Sequence, residues 1–292
     1  MSARARLVLC QGACAAWGRL LPTPYPRAVF PEPKYANVDG VRLAFREWGD
    51  SSSGAPIVLI HGITSNALSW ARVGPALGET HHVIAPDLKG HGDSDKPDSG
   101  CANTQIVAEV AGLCGALGVK RVALIGHSWG GAIGVLLATS TELVERLVLE
   151  DPVLLLPEDR RTEFSAQFAL TVGLDPAEAR ARYNATTVAA GWTEVDIEGK
   201  VEAAVKGSPD AVRAVFRENA PWDLREQVTK IACPTLMLNA AREVGGLVHP
   251  EVEALARQNA NVRIVTVPDA DHNVHRTAFE AFMREVRGFV DE

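Results

Sequence analysis

Residues Gly126-His127-Ser128-Trp129-Gly130 read G-x-S-x-G, a serine flanked by glycines. They follow a largely apolar run, 121–125, and precede a second glycine, Gly131, and a helix-like stretch, 132–139. Strand, sharp turn with a central serine, then helix is the context of a nucleophile elbow. The turn holds the serine in a strained backbone geometry and lifts its hydroxyl out of the sheet. Glycines belong on either side because a Cβ there would collide with the neighbouring strand and helix. The chemistry this permits is nucleophilic attack through a covalent intermediate. A serine hydroxyl is a poor nucleophile at neutral pH and needs an adjacent base to take its proton. The base needs an acid to fix its tautomer and stabilise its cation. Without such partners the segment is a glycine-rich turn with an incidental serine.

The elements that must position these groups can be read from periodicity. Residues 41–48, 56–60, 82–85, 121–125, 146–149, 234–238 and 262–267 read as strands. Residues 70–77, 104–117, 130–139, 251–259 and 276–290 read as helices. Several of the strands are near-continuous apolar runs, as parallel strands buried on both faces are. Strand–helix alternation implies an α/β fold, a parallel sheet with helices on both sides. The Ser/Gly segment 50–54 reads as a hairpin turn between the first strands. Residues 152–230 break the alternation, being helical in pattern, rich in Ala, Glu and Arg, and without a good strand. Helices inserted there would sit over the C-terminal ends of the strands, where open α/β sheets bind ligands. That predicts a helical lid over 152–230, as against a solvated decoration.

Composition narrows the function classes. The chain has 292 residues, enough for one large domain or a domain with an insertion. At 47% hydrophobic and 22% charged it has an ordinary soluble globular composition. A net charge of −7 disfavours nucleic acid and anionic membrane surfaces as partners. The cysteines, at 10, 14, 101, 114 and 233, have no disulfide-framework or metal-ligand spacing. Reduced thiols in a cytoplasmic enzyme are expected. No run is long and apolar enough for stable membrane insertion; the best, 122–138, contains His127 and Ser128. Residues 1–31 hold four arginines and no acid, with a short apolar patch at 7–9. This loosely resembles a targeting segment. The alternative is an extra helix or tail. The expected division is an N-terminal extension, 1–30, a core of 31–151 and 231–292, and the lid. Nothing in the sequence speaks to oligomeric state.

From about Tyr35 onward the chain resembles the α/β-hydrolase superfamily. Four motifs carry the resemblance, each after an expected strand: His61-Gly62; Asp87-Leu88-Lys89-Gly90-His91-Gly92-Asp93-Ser94, similar to a D-x-x-G-x-G-x-S turn; the Ser128 elbow; and Asp269-Ala270-Asp271-His272-Asn273. The resemblance implies a mostly parallel eight-stranded sheet with the lid after the sixth strand. His272 is the candidate base, since it follows a strand end at the same sheet edge as Ser128. His275, one turn on, is expected to face outward. His61 and His127 are expected to make structural hydrogen bonds, while His81, His82, His91 and His249 read as surface or turn residues. The resemblance places oxyanion-hole amides at Ile63 and Trp129. One such donor is worth about 3–4 kcal/mol of transition-state stabilisation.

The acid stays open. Chain order requires Ser…Asp/Glu…His. After strand 146–149 stand Asp151 and its neighbour Glu150, with Pro152 fixing the turn. After strand 234–238, where most of the superfamily carries G-x-x-D, this chain reads Ala240-Ala241-Arg242-Glu243. Asp151 is favoured over Glu243 and Glu150. Asp87 and Asp93 are expected to be turn acids and not metal ligands. No phosphate loop, paired histidine ligand or dinucleotide fingerprint is present, so no cofactor is expected. The resemblance implies a serine hydrolase acting on a small-molecule carboxylic ester or lactone through an acyl-enzyme. A serine at the elbow argues against haloalkane dehalogenases and epoxide hydrolases, whose elbow nucleophile is aspartate. His61-Gly62-Ile63 lacks the extra Gly-Pro of proline iminopeptidases. The alternatives are C–C bond hydrolysis or a lyase or peroxidase-type reaction on the same triad, and a non-catalytic ligand-binding member.

Overall fold

Strand β5 (Val122–His127) is fully buried, and its side chains divide between two cores. Val122 and Leu124 enter one, and Ala123 and Ile125 enter the other. Strand β3 (Ile57–Ile60) divides the same way, Val58 and Ile60 against Ile57 and Leu59. A period of two with both faces apolar is what a sheet covered on both sides demands. The computed structural model describes residues 30–52 and 54–292. The expectations for an N-terminal extension, its targeting character, and Cys10 and Cys14 lie outside the described residues.

The other sheet strands are β1 (Lys34–Val38), β2 (Val41–Trp48), β4 (Val83–Pro86), β6 (Val144–Glu150), β9 (Thr235–Ala240) and β10 (Val262–Val267). The eight lie in the order β1-β2-β4-β3-β5-β6-β9-β10. Only β1 with β2 and β2 with β4 pair antiparallel; the remaining pairs are parallel. This is the mostly parallel eight-stranded sheet expected. Segment 50–54 is not a hairpin, because β2 and β3 are not neighbours and the chain must cross β4 to reach β3. The hairpin joins β1 to β2 through Asp39 and Gly40, both at positive φ. Strand β1 has no clear signal in the sequence because it is an edge strand with three of its five residues exposed to solvent or partly so.

Helices α2 (Asn103–Ala116), α3 (Trp129–Ser140), α8 (Arg225–Thr229) and α9 (Pro250–Ala256) contribute to the core on one face. Helices α1 (Val73–Gly78), α10 (Val274–Thr277) and α11 (Phe279–Val290) contribute to the other. Between β6 and α8 come α4 (Glu158–Ala169), α5 (Pro176–Arg182), α6 (Glu194–Lys206) and α7 (Pro209–Glu218). This block also contains a short antiparallel pair, β7 (Leu155–Leu156) with β8 (Trp222–Asp223), where no strand was expected. Two-residue strands carry no periodicity to read. Helix α7 starts with Pro209 at N1, behind Ser208, whose hydroxyl accepts the Ala211 amide. Its residues Val212, Val215 and Phe216 join the core.

The block packs onto turns at the C-terminal ends of the strands. A Cβ on Gly90, in the turn after β4, would meet the Ala211 Cβ at 2.4 Å. One on Gly199 of α6 would meet the Leu68 carbonyl at 2.7 Å. The second contact seats α6 directly on the 3-10 turn Ala67–Trp70 and so brings the neighbouring Lys200 inward. Among the described residues no helix is long and apolar enough to cross a membrane.

Candidate active site

Ser128 sits between β5 and α3 at φ +56°, ψ −115°, a conformation costly for a residue with a side chain. The surroundings over-determine it. The Ser128 amide donates to the Glu150 carbonyl at 2.9 Å, and the Ser128 carbonyl accepts from Gly131 at 3.0 Å. The glycines are needed for contact. A Cβ on Gly126 would lie 2.3 Å from the Gly130 carbonyl oxygen, one on Gly130 would lie 2.2 Å from that of Ile60, and one on Gly131 would lie 2.7 Å from the Pro152 Cβ.

The structure brings His272 together with Asp151. His272 Nδ1 lies 2.6 Å from Asp151 Oδ2. Asp151 is fully buried, at φ +39°, immediately after β6. Its Oδ1 accepts the Ala240 amide at 3.1 Å and its Oδ2 the Leu247 amide at 2.8 Å. Three donors thus converge on one carboxylate, and its bond to His272 Nδ1 leaves Nε2 on the far side of the ring. Glu243, on the 3-10 turn Arg242–Val244, is exposed. The segment after β9 thus supplies amides to Asp151 in place of an acid of its own. Glu150 turns the other way and accepts from His275 Nδ1 at 2.8 Å. Ser128 and His272 line one cavity, with no direct hydrogen bond between their side chains among the described residues. Such a bond often tightens only once substrate is present.

The loop 61–65 is wired from below. His61 Nε2 accepts the Leu88 amide at 3.0 Å, so its Nδ1–H donates to the Gly62 carbonyl at 2.8 Å. His91 Nε2 accepts the Thr64 amide at 3.3 Å, and its Nδ1–H donates to the Lys89 carbonyl at 3.1 Å. Burial pushes His91 down to about 4, which keeps it neutral and able to accept. His91 is therefore not a mere turn residue. It holds Thr64, which sits at φ +61°. Among the described residues neither the Ile63 amide nor the Trp129 amide is engaged in a hydrogen bond. Trp129 is 1% exposed and its indole N–H donates to Asn103 Oδ1 at 2.8 Å. Asp87 Oδ1 and Oδ2 accept the amides of Ala67 and Asp93, both at 2.7 Å, as a turn acid should.

Several histidines differ from expectation. His275 does not face outward; it is 1% exposed. A helix of one turn, α10, places it under the sheet edge, where Trp70 and Phe282 cover it. Burial and Arg276 hold it well below the ordinary histidine value. His81 and His82 are also buried, His82 against Glu47 at 2.8 Å. His249 caps α9, as a turn residue would. His127 donates from Nε2 to the His272 carbonyl at 2.9 Å, a structural bond as expected. His127, Glu150 and His275 each place one ligand-type atom within 4.8 Å of the others. Glu150 there already accepts both the Nδ1–H and the amide of His275, so this grouping works as a hydrogen-bonded pair beneath the site.

The cavity has a volume of about 350 Å³. Phe164, Phe168, Phe216 and Trp222 from the inserted block line part of it and pack in series, the first pair stacked and the next two tilted, with centroid spacings of 5.0, 6.0 and 5.7 Å. The rest includes two cations that sequence reasoning missed, Lys200 and Arg276. Desolvation, with help from Arg276 and Arg182, pushes the Lys200 ammonium down to about 7. No local pattern marks either residue, since both reach the cavity through tertiary packing.

The sequence profile of the "Alpha/beta hydrolase family" matches residues 57–285. A soluble epoxide hydrolase from Corynebacterium sp. strain C12 is 40% identical over 119 residues, 40% of this chain and 41% of that protein. The chain thus spans well under half the length of that relative. The N-formylmaleamate deformylase of Pseudomonas putida is 24% identical over 87% of this chain and 95% of its own. The crystal structure of the enol-lactonase from Burkholderia xenovorans LB400 superposes with a TM-score of 0.75 at 25% identity, covering 88% of this chain and 100% of that one.

Proposed function

This chain belongs to the alpha/beta hydrolase family, and on that premise we propose that it hydrolyses a carboxylic ester or lactone through an acyl-enzyme on Ser128. The three relatives named above are an epoxide hydrolase, a deformylase and an enol-lactonase. Membership therefore supports hydrolysis and leaves the bond to be argued from the site. The observation that carries the reading is the 2.6 Å bond between His272 and Asp151 at the sheet edge that also presents Ser128.

In this reading His272 Nε2 takes the Ser128 proton as Oγ attacks the carbonyl carbon. Asp151 holds Nδ1–H and stabilises the imidazolium. The oxyanion is received by the Ile63 and Trp129 amides, donors fixed before the reaction begins. Collapse expels the alkoxide, which takes the proton from His272. Water then enters by the same route and releases the acid. A lactone differs only in that the alcohol stays tethered. Each step uses side chains and amides of the chain, so no cofactor is called for. Residues 152–230 act as a lid on a core of 31–151 and 231–292, and the aromatic series Phe164 to Trp222 shapes the substrate pocket.

The test is pre-steady-state kinetics with p-nitrophenyl butyrate. A stoichiometric burst of nitrophenol before the steady rate is expected. Absence of any turnover across short-chain esters and lactones would overturn the reading.

A further inference from the structure

Among the described residues the buried cations Arg46 and Lys89 are paired with carboxylates. Arg46 lies 3.3 Å from Asp93 and 3.2 Å from Glu202, and Lys89 bonds Glu109. Arg276, also buried, and Lys200, half-buried, differ. Among the described residues neither has a carboxylate within ion-pair distance. Lys200 Nζ donates to the Thr64 carbonyl at 2.8 Å and to Thr64 Oγ1 at 3.2 Å, and stands 5.2 Å from the Tyr183 ring. Arg276 is 3% exposed; its Nη2 donates to Ser69 Oγ at 3.0 Å and its Nη1 to Asn273 Oδ1 at 3.5 Å. Its plane lies under Trp192 at 4.3 Å, and its Nε has no partner.

The nearby acids Asp196, Glu150 and Asp271 attract Arg276 only at longer range, which its desolvation outweighs, and their hydrogen bonds are committed elsewhere. Asp151 serves His272, Glu150 serves His275, and Asp196 pairs with Arg72 at 3.1 Å. Asp271, also on the cavity wall, accepts the Asn273 amide at 2.8 Å and the Thr277 hydroxyl at 3.2 Å. A buried charge without a counter-ion is costly and persists where something else compensates it. Both cations line the cavity that contains Ser128 and His272.

We propose that the cavity selects substrates bearing a carboxylate, which Lys200 and Arg276 bind while Ser128 attacks the ester. Resting on the ester-hydrolase reading, it narrows the substrate to a half-ester of a short dicarboxylic acid or a carboxylated lactone. An ammonium and a guanidinium offer complementary geometry, one a point charge and the other a planar fork. The apolar lining holds the rest of the molecule. Lys200 also braces Thr64 next to the Ile63 amide, so its test must separate substrate selection from loop support.

The experiment compares p-nitrophenyl hydrogen glutarate with the isosteric neutral p-nitrophenyl 5-methylhexanoate, in the parent and in Lys200→Met. The parent should favour the anionic ester in kcat/KM by about tenfold or more, consistent with a charge-assisted contact. Lys200→Met should collapse that ratio, chiefly through KM, and Lys200→Arg should restore much of it. A parent ratio near one, or a ratio that Lys200→Met leaves intact while both rates fall together, overturns the proposal. If neither ester turns over, the hydrolase reading itself fails. Calorimetric titration of methyl hydrogen glutarate into Ser128→Ala, with and without Lys200→Met, then reads the subsite directly. Binding weakened about tenfold by the lysine change upholds it, and absent or equal binding overturns it. Where Lys200→Met shows no melting transition, Lys200→Gln carries the same comparison.

Discussion

Glu150 and Asp151 are adjacent in sequence, yet their carboxylates hold two different histidines, His275 at 2.8 Å and His272 at 2.6 Å. Successive residues at a strand end point to opposite sides, and the positive φ of Asp151 sharpens the divergence. The inner pair is sealed beneath the sheet edge, and the outer pair faces the cavity. This division yields the first two predictions.

Asp151→Asn should lower kcat by several orders of magnitude, because the amide favours the wrong tautomer of His272. Glu243→Gln should stay close to the parent, as an exposed carboxylate without a catalytic partner does. Steady-state kinetics on p-nitrophenyl butyrate decides between them. Near-parent activity in Asp151→Asn, with collapse in Glu243→Gln, would move the acid to the segment after β9.

His275→Ala should act mainly on stability. It removes a hydrogen bond to a buried carboxylate and leaves a cavity under Trp70, a loss of about 3 kcal/mol. Urea unfolding should show the lowered midpoint, with a far smaller drop in kcat than His272→Ala produces. The reverse ranking would make His275 the catalytic base.

Gly130→Ala tests the elbow's packing. The added Cβ would lie 2.2 Å from a backbone oxygen of β3, which cannot yield as a side-chain tip can. Overpacking of this kind costs about 1–3 kcal/mol or more. Thermal melting should show a lowered Tm together with lost turnover. A parent-like Tm would mean that β3 and α3 are less tightly apposed than the structure has them.

Lys200 makes stability depend on pH. Its ammonium stands at about 7 in the folded chain against an ordinary 10.5, so the unfolded chain binds the extra proton between those values. Stability of the parent therefore rises with pH across that window, and the cost of the buried charge is fully present below it. The charged and titratable groups around Lys200 are Arg276, Arg182, Tyr183, His61 and His91, and none supplies a negative charge near neutrality. Relative to Lys200→Met, the parent should gain Tm as pH goes from about 7 to about 10. A constant difference would show that Lys200 titrates normally.

Much of the architecture was legible because its signals are local. The apolar runs at β3, β5 and β9 announce buried parallel strands, and Gly126, Gly130 and Gly131 announce a close strand-to-helix turn. Ser128 and His272 follow from strand ends on one edge. The acid was only narrowed, since a choice between Asp151, Glu150 and Glu243 depends on where three loops meet in space. The roles of His91 and His275 were missed for the same reason: a turn histidine and a short-helix histidine look exposed until another element covers them. Lys200 was hidden because it reaches the cavity only once α6 packs on the Ala67–Trp70 turn, an approach that the missing Cβ of Gly199 allows against Leu68.

Trapping reports whether Ser128 is the nucleophile. The protein is treated with a fluorophosphonate, its intact mass is measured, and the adduct is mapped by peptide sequencing. One phosphonyl group per chain on Ser128 is predicted, formed more slowly in the presence of excess substrate ester and absent from Ser128→Ala. A protein that hydrolyses the ester yet takes no label, or takes it on another residue, would show that Ser128 is not the nucleophile.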